Sequence, residues 1–349
     1  MKEAAAARPA DLASGEAVQD PVTSISVCIA THQRPRLLAA TLEALGAQTR
    51  PPDEIIVSDS STPASDSVVD AFSARHPAIP IQHLHSSRRA LPWQRWWALK
   101  HSHGEVILFL DDDVTLAAPA LETLERNYNG LAADPGRKIA GIGFRMVYDN
   151  GTQPTRDRSS LKERWLGTSR LSPGSRTPGG LTVDFAGFNG QGPAEVDVLW
   201  GGAMSFRREA LTSVPLDNLV SLYEAGIGRG EDAVLSCYAR RLGKLFVLTE
   251  PFAVHPFYNI EVATPYATEG WRLGLTQTFG RAHTMRWMAG DWSAYKKEWW
   301  RLVILDLARC ILAILRRPWQ RRHWLRLGGA CYGIWRAIRQ WDQIPRAAK

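Results

Sequence analysis

Short apolar runs alternate with amphipathic stretches over the first third of the chain. The runs are typical of buried strands; they are SISVCIA (24–30), EIIVSDSS (54–61), IPIQHLH (79–85) and EVILFLDDD (105–113). Between the first two, the spacing of Leu38, Leu42 and Leu45 predicts a helix that buries one face. Strand and helix alternate four times, which favours an α/β fold whose sheet is covered by helices on both faces.

Regular patterning is lost between residues 150 and 192 and resumes after them. This segment is rich in Gly, Pro, Ser, Thr and Arg, and we predict a long flexible insertion there, either a flap over an anionic ligand or a solvated loop. After it we expect regular structure to resume over 196–206, followed by a helix around 207–211, another helix around 232–242 and a last strand in KLFVLTE (244–250).

Polar residues follow three of the predicted strands. Thr31, Asp59 and the run Asp111–Asp113 all lie at strand ends, where sheets of this class bind ligands. Three adjacent carboxylates repel one another when buried, and a divalent metal such as Mg²⁺ or Mn²⁺ would remove that cost. Taken alone, the triplet fits an acidic turn that starts a helix equally well.

The composition is that of an ordinary globular protein, with 45% hydrophobic and 22% charged residues among 349. Four cysteines show neither paired metal-binding spacing nor the density of a disulfide scaffold, which suits a reducing compartment. Residues 1–22 lack the apolar core of a secretory signal and are predicted to form a disordered leader. We therefore expect a cytoplasmic protein.

The net charge of +7 belongs to the C-terminal part of the chain, because residues 296–349 carry thirteen Lys and Arg against three acids. Arg301, Asp306 and Arg309 fall on one side of a helix whose opposite side is apolar. This stretch is too short and too charged to span a bilayer. We predict that 291–349 is an amphipathic helical tail that lies on an anionic membrane surface.

Tryptophans are expected at the headgroup depth of that membrane; they are Trp299, Trp300, Trp319, Trp324, Trp335 and Trp341. The alternative is that these helices pack on the rest of the chain or on a second subunit. Nucleic acid is excluded as a partner, since it would leave the apolar face unused.

The N-terminal half resembles a known enzyme family. The segments ISVCIATHQRPRLLAATLEALGAQTRPPDEIIVSDSS and GEVILFLDDDV are similar to family 2 glycosyltransferases of the GT-A fold, and the resemblance covers roughly residues 24–255. It implies a Rossmann-like mixed sheet flanked by helices in a domain over 23–290. It also implies a nucleotide-sugar donor and a divalent metal, Mn²⁺ or Mg²⁺.

The resemblance assigns the donor side residue by residue. Thr31 and Asp59 are implied to hold the nucleoside, although this chain has SDSS where the family usually has Asp-Asp-Gly-Ser. Arg34, in the turn after Thr31, is predicted as a further donor contact, and Arg95 resembles the arginine that approaches the donor diphosphate. The triplet resembles the family's DXD-type motif: Asp111 lies near the ribose and is a second metal ligand, Asp112 contacts the donor, and Asp113 binds the metal.

The acceptor side is carried by two later motifs. WGGAMSFRREAL resembles the segment in which small residues let the backbone approach the transferred sugar, so Trp200, Gly201 and Gly202 are candidate sugar contacts. GRGEDAVLSCYARRLG resembles the family's Glu-Asp motif, which makes Asp232 the candidate general base with Glu231 beside it. A glycine turn and a helix cap are the structural alternatives.

His255, just after the last predicted strand, is a candidate nitrogen ligand of the metal. A structural role beside Pro256 fits the sequence as well. The other histidines, including His83, His85, His101 and His103, show no zinc spacing and are expected on surfaces.

We therefore predict an inverting, metal-dependent transferase that moves a sugar onto a glycan or lipid-linked acceptor, peripheral on the cytoplasmic face of the membrane, in cell-surface polysaccharide or glycolipid assembly. The alternatives are a nucleotidyltransferase and a non-catalytic sugar-nucleotide-binding protein of the same fold. A nucleotidyltransferase would usually have a Gly-rich phosphate loop and a Lys after the first strand, and THQRPR has neither.

Overall fold

A mixed β-sheet forms the centre of the structure, which is a computed structural model. It describes residues 19–134, 136–150, 160–183, 188, 192–212, 214, 216–256 and 266–343. Within these residues the sheet has nine strands. In chain order they are β1 (Ile25–Thr31), β2 (Glu54–Asp59), β3 (Ile81–His85), β4 (Val106–Asp111), β5 (Thr115–Leu116), β6 (Ile139–Tyr148), β7 (Pro193–Val196), β8 (Ala203–Arg207) and β9 (Lys244–His255).

The strand order is β3-β2-β1-β4-β8-β6-β9-β5, with β7 paired to β9. The first four of these run parallel, β8 is antiparallel to both neighbours, and β6 runs parallel to β9. Register places Thr31 opposite Asp59 and Ala30 opposite Asp111. The predicted mixed α/β sheet is confirmed, and its parallel strands end side by side.

Helices cover both faces of the sheet. They are α1 (Pro35–Gly46), α2 (Asp66–Arg75), α3 (Leu91–His101), α4 (Ala120–Ala132), α5 (Leu161–Leu166), α6 (Leu216–Glu224), α7 (Glu231–Ala239), α8 (Tyr266–Leu275), α9 (Arg281–Met288), α10 (Trp292–Arg316) and α11 (Arg321–Arg339). A π-helical stretch, Thr276–Gly280, joins α8 to α9, and a 3₁₀ turn follows β8.

Alternate side chains of the central strands bury opposite faces of the sheet, as the pleat requires. Val27 and Leu108 belong to the core shared with α1, α2 and α4. Cys28 and Phe109 belong to the core on the other face, with Ala98 of α3 and side chains of α7. Burial on both faces explains why these strands appear in the sequence as continuous apolar runs.

The segment 196–206, where regular structure was expected to resume, is not one continuous element. β7 ends at Val196 and β8 begins at Ala203, and the residues between them form a turn that contains Trp200, Gly201 and Gly202. The predicted leader also ends too late, because Val22 is buried and its N–H donates to Asn129 Oδ1 at 2.7 Å. Residues 1–18 lie outside the described residues.

The segment 150–192, predicted to lack regular structure, contains α5 in its described part. The hydroxyl of Thr177 and the N–H of Gly179 both donate to the carboxylate of Glu298 on α10, and Trp165 Nε1 donates to the carbonyl of Arg301 at 3.2 Å. This part of the insertion is therefore fastened to the C-terminal helices. Arg156 and Arg158 of the suggested flap lie outside the described residues.

The C-terminal helices form one bundle with a shared apolar core. Leu275, Phe279, Tyr295, Trp299 and Ala337 pack together, so the core joins α10 and α11 to helices that precede residue 290. The predicted domain boundary at 290 divides this bundle. No helix in the described part of the chain is long and apolar enough to cross a membrane.

Two of the six tryptophans predicted at a membrane surface lie inside the bundle. Trp299 is fully buried, and its Nε1 donates to the carbonyl of Thr278 at 3.0 Å. Trp341 packs on the rings of Tyr295 and Trp299. The other four, Trp300, Trp319, Trp324 and Trp335, are exposed.

Adjacent tryptophans on α10 provide a matched test of this packing. We expect Trp299→Ala to lower the free energy of unfolding by about 3–5 kcal/mol, because it leaves a cavity in the bundle core. Trp300→Ala should change it by less than about 1 kcal/mol, since that ring is exposed. Denaturant unfolding of the full chain measures both, and equal effects would contradict a bundle that is integral to the fold.

Candidate active site

The Asp111–Asp113 triplet lies at the end of β4, where it meets the turn that follows β1. Asp112 accepts hydrogen bonds from Thr31 Oγ1 at 2.6 Å and from Arg34 Nη1 at 3.1 Å. The same Arg34 nitrogen donates to Asp113 Oδ2 at 2.9 Å. Thr31, Arg34, Asp112 and Asp113, all predicted as site residues, are thus brought together, and Arg34 is the cation that joins two of the acids.

Burial makes the charged form of these acids costly. It raises the pKa of Asp112 to about 6, and it also raises the pKa of Asp113, with the neighbouring carboxylates adding to both effects. Arg34 lowers both pKa values, and His255 lowers that of Asp113. A second positive charge at this position would therefore be favoured.

His255 ends β9 and approaches the triplet from the other side. Its Nδ1 lies 2.7 Å from the carbonyl of Pro256, and its Nε2 lies 3.5 Å from Asp113 Oδ1. The carbonyl can only accept, so Nδ1 donates to it, and Nε2 is directed toward the acids. This is the arrangement of a metal-binding histidine. Asp113 and His255 thus offer an oxygen and a nitrogen atom 3.5 Å apart, both of kinds that bind divalent cations.

Arg95, predicted to approach a donor diphosphate, is held by acids at the end of β4 and the start of α7. The side chain is 4% exposed; Nη1 donates to Glu231 Oε1 at 2.9 Å, and Nη2 donates to Asp111 Oδ1 at 2.8 Å and to the carbonyl of Gly201 at 2.6 Å. Its hydrogen-bonding groups are taken up within the protein. Arg95 therefore joins the end of β4 to the start of α7.

Glu231 and Asp232 form the first turn of α7, which follows Gly230 in a left-handed conformation (φ 72°). A Cβ at Gly230 would come within 2.7 Å of Thr284 Cγ2, so both conformation and space require glycine. Glu231 is buried, with Arg95 on one oxygen and the Tyr223 hydroxyl on the other. Burial raises the pKa of both acids, the charge of Asp232 adds to the effect on Glu231, and the charge of Asp111 adds to the effect on Asp232.

Asp232 connects the glycine turn to a large pocket. Its Oδ2 accepts the N–H of Gly201 at 3.1 Å, and Oδ1 accepts the N–H of Ala233 at 2.8 Å. The next residue, Gly202, accepts the N–H of Asp111 at 2.9 Å through its carbonyl. Asp232, Glu231 and Trp200 line a pocket of about 610 Å³. The glycine turn thus lies between the strand-end acids and this pocket.

Asp59 is at the predicted edge, but its side chain is fully buried. Its carboxylate accepts the N–H groups of Ser61 and Ser65, each at 2.7 Å, and lies 3.3 Å from His83 Nε2. In this geometry Asp59 shapes the loop after β2. A direct contact with a nucleoside would require that loop to open.

Two groups were not predicted from the sequence. Tyr223 on α6 contacts Glu231, and only the tertiary structure places them together. His83 and His85, predicted as unconnected surface residues, both lie 3.2 Å from Asp66 Oδ1, close enough together to hold a metal ion. The i, i+2 spacing on a strand, which puts both rings on one face, was the available signal.

Comparisons with known proteins bear on the whole arrangement. The profile of Glycosyl transferase family 2 matches residues 26–212, which is more than half of the chain. The sequence has no significant match among curated proteins.

Solved structures were compared by fold. GalNAc-T7 with UDP, GalNAc and Mn²⁺ aligns at 17% identity and a TM-score of 0.51, over 79% of this chain and 54% of that one. The mannosyltransferase PcManGT from Pyrobaculum calidifontis, in complex with GDP-Man and Mn²⁺, aligns at 17% identity and 0.48, over 91% of both chains. S. aureus TarS 1-349 aligns at 13% and 0.47, over 91% and 92%. By its sequence and its mixed sheet, the chain belongs to glycosyl transferase family 2 and has the GT-A fold.

Proposed function

We propose that this protein is an inverting glycosyltransferase that uses a nucleotide-sugar donor and a hydroxyl acceptor, with Asp232 as the general base. One observation carries the proposal: Asp232 bonds the glycine turn next to the strand-end acids and also lines the large pocket. A carboxylate in this position borders both a donor held at the strand ends and an acceptor in the pocket.

On the donor side, Asp113 and His255 would hold Mn²⁺ or Mg²⁺, with Asp111 as a further ligand or a ribose contact. When bound, the metal neutralises charge that develops on the leaving diphosphate. Arg34 and Asp112 border the donor, and Thr31 holds Asp112 in place. Trp200, Gly201 and Gly202 would lie against the transferred sugar, because a turn of small residues lets the backbone approach closely.

In the proposed reaction, Asp232 accepts the proton of an acceptor hydroxyl as its oxygen attacks the anomeric carbon. The new carbon–oxygen bond forms as the bond to the donor phosphate breaks, and the bonding electrons leave with the nucleoside diphosphate. A raised pKa makes the Asp232 carboxylate a better proton acceptor. A single direct displacement inverts the configuration at that carbon.

The exposed surface of the C-terminal helices supports a further part of the proposal. The acceptor is presented by a membrane on its cytoplasmic face, as in cell-surface polysaccharide or glycolipid assembly. On α10 Asp306 is buried, while Ile304, Ile311 and Leu315 are at least half exposed. Trp324 and Trp335 on α11 are also exposed. An outward apolar surface flanked by basic residues is typical of helices that lie in the interface of anionic membranes.

Replacing the proposed base should separate turnover from binding. We expect Asp232→Asn to lower the transfer rate by about 10²–10⁴-fold while Mn²⁺-dependent binding of nucleotide is retained. Asp217→Asn is the matched control, because Asp217 also lies in the first turn of a helix but is exposed on α6. Undiminished transfer by Asp232→Asn, measured with a panel of UDP-, GDP-, dTDP- and CMP-sugars, would rule out Asp232 as the base.

Replacing His255 should test the metal site. His255→Ala is expected to raise the Mn²⁺ concentration needed for half-maximal nucleotide binding by roughly 10–100-fold, since one ligand is lost. His101→Ala is the control, because that ring contacts its own helix α3. If the Mn²⁺ titrations of both variants match that of the unaltered protein, His255 is not a ligand.

The membrane surface can be tested in the full chain. Replacing Ile304, Ile311 and Leu315 with Ser should weaken co-sedimentation with anionic vesicles by about tenfold or more, because each buried apolar side chain contributes to binding. Leu242→Ser, an exposed leucine away from these helices, should bind as the unaltered protein does. Equal vesicle binding by the triple variant would contradict the proposal.

A further inference from the structure

The pocket lined by Asp232 also contains a group of arginines that the reaction above does not use. Arg229, Arg281 and Arg309 all contribute to its wall. Arg229 precedes the Glu-Asp motif by two residues, Arg281 begins α9, and Arg309 is on α10. Three separate elements therefore direct positive charge to one pocket.

Two of these guanidinium groups converge on a neutral partner. Arg229 Nη1 donates to Gln277 Oε1 at 2.9 Å, and Arg281 Nη2 donates to the same oxygen. Gln277 lies in the π-helical stretch between α8 and α9, a distortion that frequently marks functional sites. The Thr284 hydroxyl donates to the Arg229 carbonyl at 2.7 Å, which fixes the loop that bears Arg229.

One buried carboxylate is shared among several arginines. Asp306 Oδ2 lies 3.4 Å from Arg281, and Asp306 Oδ1 lies 3.5 Å from Arg309 and 3.9 Å from Arg326. These separations are longer than those of a close charge-assisted hydrogen bond. Asp232 also acts on Arg229, so two carboxylates face Arg229, Arg281, Arg309 and Arg326, and the group keeps an excess of positive charge.

Other charged residues of the pocket are engaged elsewhere. Lys162 and Glu163 approach each other at 3.7 Å, and Glu231 pairs with Arg95. Burial lowers the pKa of Arg281 to about 10, and the adjacent Arg229 adds to this effect. Burial lowers the pKa of Arg229 as well. Holding these like charges together is unfavourable unless an anion joins them.

We propose that this arginine group binds a phosphate carried by the acceptor, while the acceptor hydroxyl lies at Asp232. The proposal rests on the function proposed above, because it places the acceptor in this pocket. Guanidinium groups bind phosphate oxygens through paired N–H donors, and several converging arginines are suited to a phosphate. In the complex the phosphate accepts hydrogen bonds from guanidinium groups of Arg229 and Arg281 that now contact Gln277 and Asp306.

The phosphate can belong to a lipid or to a soluble molecule. Leu302 and Leu305 line the same pocket as Arg309, on the helix whose outer side exposes Ile304 and Leu315. A phosphate at a membrane surface would thus meet the arginines while its lipid stays beside α10. Both sources share the same headgroup chemistry, and the test separates them.

Binding is measured on the full chain without donor and with EDTA present, so that no metal at the strand ends takes up phosphate. One arm titrates glycerol 3-phosphate by calorimetry, and the other measures co-sedimentation with phosphatidylcholine vesicles with and without phosphatidic acid. The unaltered protein is expected to bind the phosphate probe in at least one arm. Binding only to vesicles identifies a lipid phosphate, binding in both identifies phosphate itself, and binding in neither overturns the proposal.

The double variant Arg229→Gln/Arg281→Gln should lose about tenfold or more in affinity for the probe. Arg309→Gln, whose side chain is 53% exposed and not needed for folding, should lose about threefold. Arg75→Gln removes an equal charge from α2 and should bind normally. If both pocket variants bind as well as the unaltered protein, the arginines serve only the packing of the helices.

A variant that is expected to bind phosphate more tightly strengthens the test. Asp306→Asn removes the carboxylate that competes for Arg281 and Arg309, so phosphate affinity should rise several-fold even as the melting temperature falls. A merely structural arginine group predicts no such rise, and reduced affinity would contradict the proposal. Asp232→Asn should bind the probe at least as tightly as the unaltered protein, so loss of the proposed base and loss of the phosphate site are separately observed.

Discussion

The guanidinium of Arg95 joins the two halves of the candidate site. It is buried, and it bonds Asp111 at the end of β4, Glu231 at the start of α7 and the carbonyl of Gly201 between them. Losing one partner of a buried ion pair typically costs about 3–5 kcal/mol, because the other charge stays buried and unpaired. The relative position of donor side and acceptor side therefore depends on this one side chain.

Around this connection the acids are separated by role. Asp112 is held by Thr31 and Arg34, Asp113 faces His255, and Asp232 bonds the glycine turn and borders the pocket. Burial raises the pKa of Asp112, Asp113 and Asp232 alike, so the ligand-free protein carries several carboxylates in unfavourable surroundings. Stability is commonly reduced in this way where a site must receive a cation or a proton.

The C-terminal helices complete the large pocket rather than forming a separate attachment. Their apolar core includes Trp299 and extends to Leu166 of the insertion. The packing of α10 brings Asp306 and Arg309 to the same cavity as Asp232. It leaves Ile304, Ile311 and Leu315 exposed within the described chain.

Much of the sheet could be predicted from the sequence because burial on both faces produces continuous apolar runs. β1, β2 and β4 were located this way, together with the strand-end positions of Thr31 and the Asp111–Asp113 triplet, whereas β3 was located although none of its residues is buried. β6 was not predicted, because Gly141 and Gly143 weaken the pattern of apolar residues along it. A Cβ at Gly141 would come within 2.7 Å of the Ser205 carbonyl. Glycine is required there by close packing between neighbouring strands, which exists only in the folded structure.

Partnerships between distant residues were decided only by the tertiary structure. Arg95 and Glu231 are separated by 136 positions, and Arg281 and Asp306 by 25. The amphipathic pattern of α10 revealed two faces, but not that Asp306 of the charged face is buried while Ile304 and Ile311 of the apolar face are exposed. Local periodicity depends on which residues avoid water. It carries no information about which charged residue from a distant part of the chain becomes the partner of a given one. These partners are determined when the strands, the insertion and the C-terminal helices pack together.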